Sequence, residues 1–121
     1  MINFDSIQSL NIPECKPIIT RNEIIGIRGR TLSAKKRRWM LPELATSGVH
    51  TIIDLRWGDH SDIFSIACRD AGIAYVHFPL DKSTTPNALV VSLLPSFISD
   101  FCNDTVDFIK RHIRHAILLC L

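Results

Sequence analysis

The stretch GVHTIIDLRWGDHSDIFSIACRDAGIAYVHFP, residues 48–79, decides how this chain folds. Its first apolar run, Thr51-Ile52-Ile53-Asp54-Leu55, has the length and β-branched content of a buried strand, and Gly58, Asp59 and His60 supply the turn behind it. Ser61 can cap a short helix whose apolar face is Ile63, Phe64, Ile66, Ala67, Cys68 and Ala71, with Gly72 where a left-handed C-terminal cap belongs. A second strand over 73–78 stops at Pro79. Strand, short helix and strand with tight caps form a βαβ unit, whose two strands are expected to be parallel neighbours joined by a right-handed crossover.

Towards the N-terminus, residues 1–22 mix Pro13, Pro17, Asn3, Asn11 and Asn22 among scattered apolar residues with no sustained period, which reads as an irregular lead. Ile24, Ile25 and Ile27 give a first strand ending at Gly29. Ser33 caps a helix expected over 34–46, stopped by Ser47 and Gly48, with Pro42 expected to kink or break it. Towards the C-terminus, Leu89, Leu93, Phe97, Phe101, Phe108 and Ile109 recur mostly four apart, which predicts helix over 87–115 with a break near Pro95. Lys110, Arg111, His112, Arg114 and His115 crowd its last turns, where cations suit the negative end of the helix dipole. The closing run Ala116-Ile117-Leu118-Leu119-Cys120-Leu121 is apolar at every position and reads as a fully buried strand at the centre of a parallel sheet. The expected fold is therefore one α/β domain over 23–121, a mostly parallel central sheet flanked by helices, behind the lead of residues 1–22.

Composition bounds the function. With 121 residues, 46% apolar and 21% charged side chains and a net charge of +2, the chain is neither a disordered tail nor a strongly basic nucleic-acid arm. Its longest apolar run is six residues, far short of the ~20 that cross a bilayer, so neither a membrane nor a nucleic acid is expected as a partner. Four cysteines at irregular spacing, without a preceding signal-peptide pattern, read as reduced thiols in a cytoplasmic protein.

In a parallel α/β sheet the ligand site lies beyond the carboxyl ends of the strands. Three such ends are expected to share one edge: Arg56-Trp57-Gly58-Asp59, Leu80-Asp81-Lys82-Ser83-Thr84, and Cys120-Leu121. A cysteine and an aspartate at one edge suggest a thiolate nucleophile with a general acid. At these residues the chain resembles the cysteine-dependent dual-specificity and tyrosine phosphatases. The likeness is carried by Gly48-Val49-His50-Thr51-Ile52-Ile53-Asp54-Leu55-Arg56, by Gly72-Ile73-Ala74-Tyr75-Val76-His77-Phe78-Pro79-Leu80-Asp81, and by a long helix running into Ile117-Leu118-Leu119-Cys120. Ile27-Arg28-Gly29-Arg30 is similar to the family's short entry strand, so the resemblance spans roughly residues 24–120.

The resemblance implies phosphomonoester hydrolysis through a cysteinyl-phosphate intermediate, without a cofactor or metal. Cys120 would be the nucleophile and Asp81 the acid that protonates the leaving oxygen, while Arg56, with Asp54, would support the site and the bound phosphorylated substrate. The family's signature is H-C-x5-R, in which loop amides and the arginine cradle the phosphate. Here Leu119 stands in place of the histidine and Leu121 alone follows the cysteine, so the expectation is a phosphatase-like chain truncated at its catalytic cysteine and inactive as written. Two other readings remain open: a rhodanese-like sulfurtransferase, which needs no general acid at Asp81, and a catalytically dead phosphatase-like interaction module.

The remaining motifs have plainer readings. Lys35-Lys36-Arg37-Arg38 is expected to be a solvated helix face, and Trp39 and Trp57 packing anchors. His112-x-x-His115 lacks a third ligand at suitable spacing for a metal, and Cys15, Cys68 and Cys102 are expected to be inert. A terminal apolar strand with nothing to cover it predicts self-association through that strand.

Overall fold

A computed structural model describes residues 2–20, 23–30, 34–56, 62–77, 103–112 and 116–120. In chain order the elements are α1 (Phe4–Gln8), β1 (Lys16–Thr20), β2 (Glu23–Arg30), α2 (Ala34–Thr46), β3 (Thr51–Asp54), α3 (Asp62–Asp70), β4 (Ala74–His77), α4 (Asn103–Arg111) and β5 (Ala116–Cys120). The strands form one mixed sheet in the order β1-β2-β5-β3-β4.

The two strands of the expected βαβ unit are parallel neighbours, while the turn expected at Gly58-Asp59-His60 and the Ser61 cap lie outside the described residues. β3 and β4 pair in parallel, Thr51 beside Ala74 and Asp54 beside His77, with α3 between them. Gly72 ends the helix at φ 77°, a left-handed conformation that costs a residue with a Cβ about 1–2 kcal/mol. The Gly72 and Ile73 amides donate back to the Arg69 and Cys68 carbonyls, satisfying groups that the helix end would otherwise orphan. Gly48, at φ 97°, closes α2 in the same way, with the Val49 amide donating to the Leu44 carbonyl. α2 runs unbroken through Pro42, where the sequence suggested a kink or break.

Residues 1–22 are not an irregular lead throughout. Asn3 caps α1 by accepting from the Ser6 amide, and its own amide donates to the Ser47 carbonyl at 2.8 Å, fastening the N-terminus to the end of α2. Ile2, Ile7 and Ile12 thereby join the core with Ile27, Met40, Leu41, Leu44, Ile52 and Leu119, and β1 pairs antiparallel with β2 through a bulge between Ile18 and Ile19. Isoleucines spaced five apart match neither a helix nor a strand period, so composition alone hid them.

The sheet is mostly antiparallel, which corrects the parallel expectation. β5 lies at its centre, buried at all five positions, but runs opposite to both neighbours: Cys120 sits beside Gly26 and Thr51, and Ile117 beside Gly29 and Asp54. An apolar run buried on both faces carries no mark of direction; direction follows from where the chain enters the sheet. Gly26 lets this pairing close up, since a Cβ there would stand 3.0 Å from the Leu119 carbonyl oxygen. Ile117 and Leu119 face the layer made by α1, α2 and α3. Ala116, Leu118 and Cys120 face the other layer, with Phe108 and Ile109 of α4.

The nine residues of α4 fall within the helix expected over 87–115, and Lys110 and Arg111 occupy its last turn. Residues 87–102 and 113–115 of that expectation lie outside the described residues. The exposure that suggested self-association is not found at residues 116–120, which are paired on both sides.

Leu118→Ala removes a fully buried side chain from the central strand, and a loss of about 2–5 kcal/mol is expected, read as a lower urea midpoint at unchanged slope.

Candidate functional site

One edge of the sheet collects the carboxyl ends of β2, β3 and β4 and the start of β5, where the Leu55 amide donates to the Ala116 carbonyl at 3.2 Å. At this edge Asp54 is wholly buried. An acid in that position must be paired or hydrogen-bonded to persist as a carboxylate. Arg56 supplies the pairing: its Nε donates to Oδ1 at 2.8 Å, its Nη2 to Oδ2 at 2.7 Å, and its backbone amide to Oδ1 at 3.1 Å. The Tyr75 hydroxyl donates to Oδ2 at 2.7 Å, and His77 Nε2 donates to the Arg56 carbonyl at 2.7 Å, which requires its proton on Nε2.

The electrostatics follow from these contacts. Burial pushes the Asp54 carboxyl up, but the hydrogen bonds from Arg56 and Tyr75 and the guanidinium charge outweigh it and hold the group below its ordinary value. Burial acts downward on Arg56, and the Asp54 carboxylate more than compensates, so the guanidinium stays charged. Tyr75 is raised by burial and by its bond to Asp54 and remains a neutral donor. Its ring meets Phe64 of α3 edge-on, with centroids 5.3 Å apart. This closed set holds the carboxyl ends of β3 and β4 in register. An ionised, buried carboxylate is poorly placed to shuttle protons, so the cluster positions the edge rather than reacting.

The sequence-predicted site residues are not gathered here. Arg56 is at this edge, but its Nε and Nη2 are engaged by Asp54 and its side chain is only 11% exposed. Cys120 is at the opposite edge, where its carbonyl accepts from the His50 amide at 2.9 Å. Three residue steps, about 10 Å along the strand, separate it from the level of Asp54. Its thiol is buried among apolar side chains, and burial pushes its pKa up to about 12, the reverse of what a nucleophile needs. Asp81, Trp57 and His115 lie outside the described residues; β4, which leads towards Asp81, ends on the edge away from Cys120.

Other expectations divide. Trp39 is 70% exposed and anchors no core, because Met40, Leu41 and Leu44 fill the inward face of α2. Among the described residues Cys15, Cys68 and Cys120 are free thiols; Cys68 is pushed up to about 11 by burial and then by the nearby Asp54 charge, and Cys15 is raised by burial. Among the described residues no three His, Cys, Asp or Glu side chains gather as a metal site, and no helix is long and apolar enough to cross a membrane. The sequence reading missed Tyr75 and His77 as partners of the Asp54–Arg56 pair. Parallel pairing, with Tyr75 beside Ile52 on the face of Asp54, is the signal that points to them. It also missed Arg28, 2% exposed in the central sheet with its guanidinium 4.4 Å from the centroid of the Phe108 ring.

No family model, curated protein or solved structure matches the chain, so the site is read from its own residues and geometry.

Two outcomes are expected. Because Asp54 is depressed below the ordinary 3.8, its contribution to stability is full above that pH and drains away as pH falls through the folded value. Asp54→Asn should therefore lower the urea midpoint at pH 7 by the equivalent of about 3 kcal/mol and flatten the loss of stability below about pH 4. Peptide mapping after brief alkylation at pH 8 should find Cys15 modified well before Cys120, which reacts only on unfolding.

Proposed function

We propose that this chain is a dual-specificity- and tyrosine-phosphatase-like α/β domain that does not turn over phosphomonoesters in the arrangement described. The observation that carries this reading is the position of Cys120: a protonated thiol buried inside the sheet, at the edge opposite to the carboxyl ends of β3 and β4. The family resemblance is supported by the parallel β3-α3-β4 unit, with Asp54-Leu55-Arg56 at the end of its first strand.

The chemistry that the resemblance implies has definite requirements. Thiolate sulfur would attack phosphorus, the bond from phosphorus to the ester oxygen would break, and Asp81 would give its proton to the departing oxygen; water would then release phosphate from the cysteine. Sulfur and acid must flank one phosphoryl group, and loop amides with an arginine must stabilise its charge. In this arrangement the sulfur has no access to the edge to which β4 leads.

The folded 121-residue chain should release no more p-nitrophenol from its phosphate ester than Cys120→Ser does. Turnover that disappears in Cys120→Ser would overturn the proposal of silence. In a chain extended to complete the Cys-x5-Arg pattern, cysteine-dependent hydrolysis is expected only if residues 116–120 leave the pairing described and bring Cys120 to the edge to which β4 leads. Asp81→Asn should then slow it about 10²–10⁴-fold for poor leaving groups. Sulfur transfer from thiosulfate to cyanide that is indifferent to Asp81→Asn would replace the phosphatase reading with the sulfurtransferase one.

A further inference from the structure

We propose that residues 2–15 form a strap that lifts off the sheet and closes again as one unit, hinged at Glu14, while the five strands stay paired. Three isoleucines pin the strap, Ile2, Ile7 and Ile12, buried near its start, middle and end. Of α1 only Ile7 is buried. Among the described residues two backbone bonds tie the strap to the rest of the chain, one towards each end. The Asn3 amide donates to the Ser47 carbonyl at 2.8 Å, and the Arg30 amide to the Pro13 carbonyl at 2.9 Å. Other backbone bonds, from the Ser9 amide to the Asp5 carbonyl and from the Leu10 amide to the Ile7 carbonyl, run within the strap and travel with it. A segment with few buried anchors and self-contained hydrogen bonds is of the kind that opens well below the free energy of global unfolding.

Strain at one end of the strap and a gap at the other favour lifting. Asn11 and Glu14 sit at φ 58° and 59°. Asparagine adopts this left-handed conformation readily, whereas glutamate meets the Cβ clash that makes it rare. Glu14 stands just before Cys15 and the start of β1, which makes it the joint between strap and sheet, and a lifted strap is no longer held to that φ. Ile12 seats the strap. Its Cγ2 would stand 2.7 Å from a Cβ at Gly29, so it reaches β2 because residue 29 has no side chain. At the other end a cleft of about 450 Å³ remains between Ile2, Asn3, Phe4 and Asp5 of the strap and Ile24 of β2. Atoms that line such a gap lack part of the contact that close packing gives. The sheet beneath is the opposite case, with β5 buried at every position and paired on both sides. Opening therefore bares β2 at Gly29 and frees Cys15, which is half-buried against the same apolar cluster, while the ladders remain intact. The proposal is independent of any chemistry at Cys120.

The test is native-state hydrogen exchange of the folded 121-residue chain, read at the Asn3 and Arg30 amides and at the amides of β5. The first two are expected to share one protection factor, at least about 100-fold below that of β5. Ile2→Ala and Ile12→Ala, ten residues apart, should each lower protection of both strap amides about tenfold or more. Glu14→Gly should raise protection of both about threefold, because glycine adopts the left-handed conformation without the clash. Leu118→Ala, in the other apolar layer, should lower protection of β5 and leave the two strap amides unchanged. Circular dichroism confirms the fold of each variant, and Glu14→Gly and Leu118→Ala carry the test if Ile12→Ala does not fold. Strap amides as protected as β5, or a parallel fall of both in Leu118→Ala, would mean that the strap opens only with the sheet and would overturn the proposal. An effect of Ile2→Ala confined to Asn3 would reduce the opening to fraying and overturn it as well, and lower protection in Glu14→Gly would remove the hinge.

Discussion

The described sheet depends on the insertion of Ala116–Cys120 between two strands that do not otherwise pair. β2 with its hairpin partner β1 forms one half, and the β3-α3-β4 unit the other; each bonds to β5 and not to the other. Every residue of β5 is buried, so the strand contributes apolar area to both layers while completing the ladders on both sides. Backbone donors and acceptors at a sheet centre have no water to turn to, which makes this pairing obligatory. Both hydrophobic clusters draw on it, one through Ile117 and Leu119 and the other through Ala116, Leu118 and Cys120.

The polar groups that the sheet buries are organised around the same strand. Asp54 and Arg28 lie on the two neighbours of β5 and point into opposite layers, one towards Phe64 and Tyr75 and the other towards Phe108. A buried ion pair is weak evidence for stability, because desolvation offsets much of the Coulomb gain. Its effect here is on geometry. Two oxygens accepting from Arg56 and Tyr75 set the end of β3 against β4 and orient the backbone that leaves the sheet. The thiol of Cys120 lies among apolar side chains and is raised by burial, so the same sheet holds one ionisable group charged and another neutral.

Much of the fold was legible in residues 48–79. A β-branched run, an apolar helix with Gly72 behind it and a second short run specify their elements by local sterics and periodicity, and parallel pairing is the outcome. The buried central strand at 116–120 was legible for the same kind of reason, since six consecutive apolar residues have no polar face to show to water. The site was less legible. Asp54 in an apolar run announces that it needs a partner, and Arg56 two residues later is a local answer. Tyr75 comes from 21 positions away and enters only through the pairing of two strands.

What the sequence determined by itself is thus the identity and order of most elements, because capping, turn and periodicity signals act over a few residues. What only the tertiary structure decided is direction and edge. Residues 116–120 read equally well in either orientation, so periodicity could place Cys120 in the sheet but not at one end of it. Scattered Ile2, Ile7 and Ile12 became core only when the N-terminus was fastened to Ser47. Each of these outcomes rests on contacts between residues far apart in the chain, whose pairing no local pattern encodes.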